Sequence, residues 1–176
     1  LGIGPVIDPW VLRPQRVLGG HRFSALSLGN ETACGLTTVG AAYCWGNNAF
    51  GGLGTGTSIG PEECGFSLFY SCSSVPVAVT GGLTFRQVEF QGRAACGVTT
   101  SGTAYCWGSN WYDHLGFGTK SGPEQCAFVE SNLQPCSRVP AVVPGTPNLV
   151  SLSRADTYTC GLTSTGVAYC WGYPQS

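Results

Sequence analysis

Three stretches of the 176-residue chain repeat one another: ACGLTTVGAAYCWGNN (residues 33–48), ACGVTTSGTAYCWGSN (residues 95–110) and TCGLTSTGVAYCWG (residues 159–172). A pattern written three times calls for one supersecondary unit that recurs and buries its apolar face against the next copy. Each copy reads as a hairpin. With Thr38, Val39 and Gly40 as the loop, Leu36 faces Ala42, Gly35 faces Tyr43 and Cys34 faces Cys44. A three-residue hairpin loop takes a glycine at its last position, where the backbone turns left-handed, and Gly40, Gly102 and Gly166 hold that place. The same register sets Cys96 against Cys106 and Cys160 against Cys170. Directly opposed residues at a non-hydrogen-bonded site lie within reach of a disulfide. Closing such an eleven-residue loop stabilises by up to about 2.7 kcal/mol on the chain-entropy account.

The pleat sorts the side chains. The cysteines, Leu36 and Ala42 share one face; Gly35, Tyr43 and Trp45 share the other. Tyr43, Tyr105 and Tyr169 stand opposite Gly35, Gly97 and Gly161, and each tyrosine ring is expected to cover its cross-strand glycine. The motif therefore reads as architecture, chosen to pack one hairpin on the next.

The repetition extends beyond the hairpin. A glycine turn ends in LGTG (residues 53–56) or LGFG (residues 115–118), and the chain opens on the matching LGIG. A proline-led strand follows: RPQRV (residues 13–17), VPVAV (residues 75–79) and VPAVV (residues 139–143). Next comes an apolar strand, FSALSLG, FRQVEFQG or LVSLSRA, and then the hairpin. Four short strands per unit without helical periodicity predict an all-β fold of β-propeller blades, each a four-stranded antiparallel sheet. The units run 1–52, 53–114 and 115–176, each starting at LGxG.

The order LGxG, PxxV, apolar strand, CGLT, YCWGxN resembles the regulator of chromosome condensation repeat family over nearly the whole chain. The resemblance implies a propeller, usually of seven blades. The hairpin cysteines and two inserted loops depart from the family pattern, and the cysteine-bearing form resembles secreted bacterial relatives. The founding member's nucleotide exchange on a small GTPase is not carried over, because nothing here aligns with its inserted β-wedge. Secreted relatives resemble protein-binding scaffolds, although a fold does not fix a function. Three units fall short of the four to eight blades of a closed propeller. The chain is expected to be a piece of a longer propeller, or else to self-associate through its end blades, where apolar faces with residues such as Val150 and Leu152 need cover. It starts at Leu1 without methionine or a visible signal peptide, and reads as a mature or partial chain.

Composition narrows the function. A formal net charge of -1, one lysine (Lys120) and seven scattered arginines supply no basic field for nucleic acid. No apolar run is long enough for a membrane span, so membrane insertion is not expected. The ten cysteines are an even count that recurs with the repeat, none in a zinc-type CxxC pair, and read as disulfides in an oxidising setting, extracellular or at the cell surface. No catalytic, cofactor or metal site is expected, and the chain is read as no enzyme. His21 and His114 lack nucleophile partners at a recognisable spacing, and Asp8, Asp113, Asp156, Glu62 and Glu63 are spread among loops. Glu62 and Glu63 read as a solvated turn rather than an acid–base pair. Asn30-Glu31-Thr32 is a glycosylation sequon of a kind common by chance.

The individual features are the inserts SIGPEECGFSLFYSCSSVP (residues 58–76) and KSGPEQCAFVESNLQPCSRVP (residues 120–140). Both share GPE, two cysteines and VP, and both precede the proline strand. The first unit has GPVIDPWVLRP there, with Trp10. The inserts read either as disulfide-pinned covers of a blade edge or as recognition loops, with Trp10, Phe66, Phe69, Tyr70, Trp111 and Phe128 as candidate contacts for a protein partner. The function expected is a non-catalytic protein-interaction scaffold. The alternatives are a structural repeat that self-associates into a larger assembly or filament, and an accessory domain of a larger enzyme. Non-reducing peptide mapping should return five bridges within repeats, Cys34–Cys44, Cys64–Cys72, Cys96–Cys106, Cys126–Cys136 and Cys160–Cys170. A bridge between units would overturn the register.

Overall fold

The structure, a computed structural model, describes residues 1–5, 10–64, 70–119, 121–127 and 133–173, with Tyr70 and Ala127 described by their backbone alone. The first sheet contains β1 (Phe23–Leu28), β2 (Thr32–Thr37), β3 (Ala42–Asn47), β4 (Glu62–Cys64) and β5 (Tyr70–Ala78), in the spatial order β1-β2-β3-β5-β4. The second contains β6 (Phe85–Gln91), β7 (Ala94–Thr99), β8 (Ala104–Ser109), β9 (Glu124–Ala127) and β10 (Leu133–Val142), in the order β6-β7-β8-β10-β9. The third has three strands, β11 (Leu149–Arg154), β12 (Tyr158–Thr163) and β13 (Ala168–Gly172). All pairings are antiparallel.

The fold is all-β and built of blades, but the strand count departs from four. In blades 1 and 2 the proline-led strand completes the sheet from beyond the LGxG turn, so each blade borrows its fourth strand from the following sequence unit. The insert then lengthens that strand and folds back as a short fifth, β4 or β9. Pro76 and Pro140 fall where the pairing of β5 with β3 and of β10 with β8 shifts register. A residue without an N–H cannot sit in a regular ladder, and a bulge accommodates it.

The hairpins take the register their residues imply. Leu36 pairs with Ala42, Gly35 with Tyr43 and Cys34 with Cys44, and the other two copies repeat this. Gly40, Gly102 and Gly166 close the loops at φ 81°, 89° and 82°. The three hairpin disulfides join residues whose Cα atoms are 4.0–4.1 Å apart. In the inserts, Cys72 faces Glu62 and Cys136 faces Glu124, so those cystines run diagonally and their Cα atoms stand 5.8–5.9 Å apart.

The core lies in the seams between blades. Cys34, Cys44, Leu36 and Ala42 on the disulfide face of blade 1 pack against Phe85, Val88, Phe90 and Trp107 of blade 2. Cys96, Cys106, Val98 and Ala104 of blade 2 meet Leu149 and Leu152 of blade 3 in the same way. The first strands are also bonded across the seams. Phe90 N donates to Ser27 Oγ at 2.7 Å, Leu152 N donates to Gln87 Oε1 at 2.9 Å, and Gln87 Nε2 donates to Leu152 O at 2.8 Å. The LGxG turns finish the packing, because a Cβ on Gly54 would lie 2.9 Å from Trp107 Nε1.

Two expectations are corrected here. The cross-strand glycines are covered by the first strand of the same blade, not by tyrosine. A Cβ on Gly35 would meet the Phe23 ring at 2.5 Å, one on Gly97 the Phe85 ring at 2.6 Å, and one on Gly161 the Leu149 side chain at 2.5 Å. A first-strand side chain leans diagonally over the glycine, while Tyr43 and Tyr105 meet Phe23 and Phe85 edge-on. Leu152 is also already buried against blade 2, whereas Val150 points outward. Replacing Gly97 with alanine should cost about 1–3 kcal/mol through overpacking against Phe85, read as a lower urea midpoint with an unchanged m-value.

Candidate interaction surface

The two inserts occupy equivalent places on successive blades, and the residues they share have local causes. In GPE, the glycine lies against backbone: a Cβ on Gly122 would meet Cys136 O at 2.7 Å, and one on Gly60 would collide with the backbone of Cys72. The glutamate ties the arm to the long strand. Glu124 Oε2 accepts from Arg138 Nε at 2.8 Å and from Arg138 N at 2.9 Å, while Ser74 Oγ donates to Glu62 Oε1 at 2.8 Å. Burial alone would raise the Glu124 carboxyl, but the bonds from Arg138 and its charge outweigh that and hold it below its usual value.

The base of the second insert covers the preceding blade. Cys126 and Cys136 pack with Ala49 and Phe50, in the turn after β3. Arg138 passes so close to Gly51 that a Cβ there would lie 2.7 Å from its Cα, and Gly56 N donates to Arg138 O at 2.9 Å. The first insert makes the matching bond, Gly4 N to Ser74 O at 3.1 Å. At its base, then, each insert is an edge cover. The tips, with Phe66, Phe69 and Phe128, lie outside the described residues, and Tyr70 begins β5.

Trp111 sits elsewhere. It follows β8 in the turn that corresponds to Ala49 and Phe50 of blade 1, exposed beside Tyr112, whose ring centroid is 6.0 Å from that of Tyr173. Trp10 is exposed near the start of the chain. The sequence candidates thus fall in three places: the insert hairpins, the turn after β8, and the N-terminal segment.

The second seam carries a polar group that sequence reading passed over. Where the first seam has Phe90 against Gly52, the second has Arg154 and His114 at the same repeat positions. Arg154 Nη1 lies 2.9 Å from Cys96 Sγ and 3.4 Å from Thr159 Oγ1, while its Nε and Nη2 are hidden without partners. Burial lowers the Arg154 pKa to about 10, against the pull of Asp156 and Glu89. His114 is 4% exposed. Burial, and then the Arg154 charge, lower its pKa to about 4. The signal was available in the alignment of repeats, as an arginine and a histidine replacing a phenylalanine and a glycine. His21, by contrast, stacks on Tyr43 with centroids 3.9 Å apart.

No arrangement of nucleophile, base and orienting group is present among the described residues. Glu62, Cys64 and Cys72 come together, but both cysteines are in the disulfide. A cavity of about 110 Å³ between blades 1 and 2 is lined by Glu31, Asn47, Phe50, Phe90 and Arg93. Among the described residues no helix is long and apolar enough to cross a membrane.

Stacked antiparallel blades that share seams and exchange their closing strands define a repeat protein of the β-propeller class. The comparisons name the repeat. Residues 23–51 match the regulator of chromosome condensation (RCC1) repeat. The chain is 28% identical over 169 residues to the E3 ubiquitin-protein ligase HERC2 of Homo sapiens, covering 92% of this chain and 3% of that one. It is 27% identical over 178 residues to the ultraviolet-B receptor UVR8 of Arabidopsis thaliana, covering 98% of this chain and 34% of that one. Human WBSCR16 superposes with a TM-score of 0.67 at 21% identity, over 91% of this chain and 35% of that one. Yeast RCC1 (Prp20), in a structure bound to Kap60, superposes with a TM-score of 0.62 at 17% identity, over 86% of this chain and 32% of that one. The chain is a β-propeller-type repeat protein similar to RCC1-repeat proteins, and it spans about a third or less of each of these relatives.

The His114 shift predicts acid sensitivity. The unfolded chain takes up a proton near the ordinary value of 6.5, and the folded one only near 4. Stability is therefore full above pH 6.5 and falls by about 3 kcal/mol as the pH drops to 4. His114→Gln should flatten that part of the urea-midpoint profile measured between pH 7.5 and 4.

Proposed function

We propose that the chain is a non-catalytic, extracellular protein-interaction scaffold whose disulfide-closed insert hairpins present the binding surface. The observation that carries this reading is the pair of arms β4–β5 and β9–β10. They extend equivalent edges of successive blades, and each is closed by its own cystine. Restricting a loop before binding reduces the entropy lost on association. The hairpin base is fixed by the edge cover, and Phe66, Phe69 and Phe128 are the aromatic residues the inserts would offer a partner. A structurally similar yeast protein is described in complex with Kap60, which supports a protein as the partner. Five disulfides support an oxidising, extracellular setting.

The test is a variant with Phe66, Phe69, Tyr70 and Phe128 replaced by serine. Capture of protein partners on the immobilised chain should be lost while the circular-dichroism melt is unchanged. Unchanged capture by a well-folded variant would eliminate the hairpins as the binding surface. A lowered melt with capture lost in proportion would make them edge covers throughout.

A further inference from the structure

The cystines of the first two hairpins are matched in every respect but one. Each spans ten positions of sequence, each joins Cα atoms 4.0–4.1 Å apart, and the four cysteines are only 0–2% exposed. Their neighbours across the seam differ. Phe90 and Ala95 of blade 2 pack in one apolar cluster with Cys34 and Cys44. Blade 3 has Arg154 and Thr159 at the same repeat positions. Arg154 Nη1 donates to Cys96 Sγ at 2.9 Å, and Thr159 Oγ1 lies 3.9 Å from the same sulfur. Arg154 Nε and Nη2 are buried without partners, and no carboxylate among the described residues is bonded to the guanidinium. The second seam thus holds a buried cation that touches one half of a disulfide.

We propose that the Cys96–Cys106 cystine is a redox switch in the second seam, opened by a dithiol reductant in preference to Cys34–Cys44 because Cys96 leaves as a thiolate paired with Arg154. One thiolate of the reductant attacks Cys106 Sγ. The bond from Cys106 Sγ to Cys96 Sγ breaks, and its electron pair stays on Cys96. The second sulfur of the reductant then displaces Cys106 from the mixed disulfide. The cystine gains two electrons, and the dithiol becomes a disulfide and gives up two protons. Cys106 takes one proton to become a thiol; the other goes to solvent, because Cys96 keeps its charge.

Charge pairing supplies the preference. An arginine beside a thiol stabilises its thiolate, whereas apolar surroundings such as those of Cys34 raise the thiol pKa. A buried cation without an anion is destabilising, and reduction creates the anion at the atom Arg154 already contacts. Thr159 Oγ1 stands on the same sulfur as a second donor. The other charged or titratable groups that act on this site are Asp156 in the turn after β11, Glu89 on β6 and His114 in the turn after β8. With its pKa lowered to about 4, His114 is neutral above about pH 6 and adds no titration there. Both sulfurs are fully buried, so the reductant acts when the seam opens locally. The arginine contact decides which of the two buried cystines is then held reduced.

Redox titration tests the proposal. The 176-residue chain is equilibrated in mixtures of reduced and oxidised dithiothreitol, alkylated, and mapped by mass spectrometry. At pH 7.5 the equilibrium constant for reducing Cys96–Cys106 should exceed that for Cys34–Cys44 at least tenfold, a difference of about 30 mV. Between pH 6 and 7.5 the Cys96–Cys106 constant should rise about tenfold per pH unit, as one ionised thiol requires, while the Cys34–Cys44 constant stays level. Arg154→Met keeps the reach of the side chain without its charge, and should remove both the preference and the pH slope. Equal constants in the wild-type chain, a level pH profile for Cys96–Cys106, or constants unchanged by Arg154→Met would each overturn the proposal. The wild-type pH profile decides the matter even if the variant fails to fold. The insert cystines are read separately on the same map, so these outcomes leave the interaction-surface reading untouched.

Discussion

The structure depends on one contact made twice: the cystine-bearing face of a blade receives the first strand and tryptophan of the next. A small sheet has only two faces and no helix to cover either, so stability must come from stacking. The cystine, alanine and leucine side chains make the receiving face shallow and rigid. The Phe85 and Trp107 rings and the apolar side chains of β6 fill it. The side-chain to main-chain bonds of Ser27 and Gln87 then fix how far the blades slide past one another. Other features serve that contact. The LGxG turn leaves room for the tryptophan, and the glycine of CGLT leaves room for the phenylalanine or leucine that starts the blade.

The two seams are not equal. The first is closed by Phe90 against Gly52, with Trp107 Nε1 donating to Gly52 O at 3.0 Å. The second places Arg154 and His114 there and leaves Trp171 Nε1 without a partner. A buried cation with hidden, unbonded N–H groups costs stability relative to an apolar plug. The second seam is accordingly the weaker of the two, and the one that responds to protons.

Much of the fold was legible in the residues, because three copies give each position two controls. Glycine at the loop end, opposed cysteines and proline-led strands all have strictly local causes, and local causes survive translation from sequence to structure. The cover over Gly35 was misread because direct cross-strand opposition was assumed, while the Phe23 ring reaches it diagonally from the neighbouring strand. The extra arms β4 and β9 were hidden by their brevity; three or four residues carry no periodicity. The interaction surface was legible only as composition. Residues of the inserts announce a closed loop, but the landing of Cys126 and Cys136 on Ala49 and Phe50 is a contact across some eighty positions that no spacing encodes.

The borrowed fourth strand also sets a timetable. Blade 1 begins at Phe23 but takes its last strand from Tyr70–Ala78, and blade 2 begins at Phe85 and waits for Leu133–Val142. As the chain leaves the ribosome, no blade is finished until the turn and insert of the next unit have been made. Synthesis at about 5–20 residues per second leaves each nascent sheet with an open edge for several seconds. During that interval the first three strands of the sheet, with the hairpin cystine, can already form. The cysteine pairs ten positions apart give each hairpin a lock that can form before its neighbours exist.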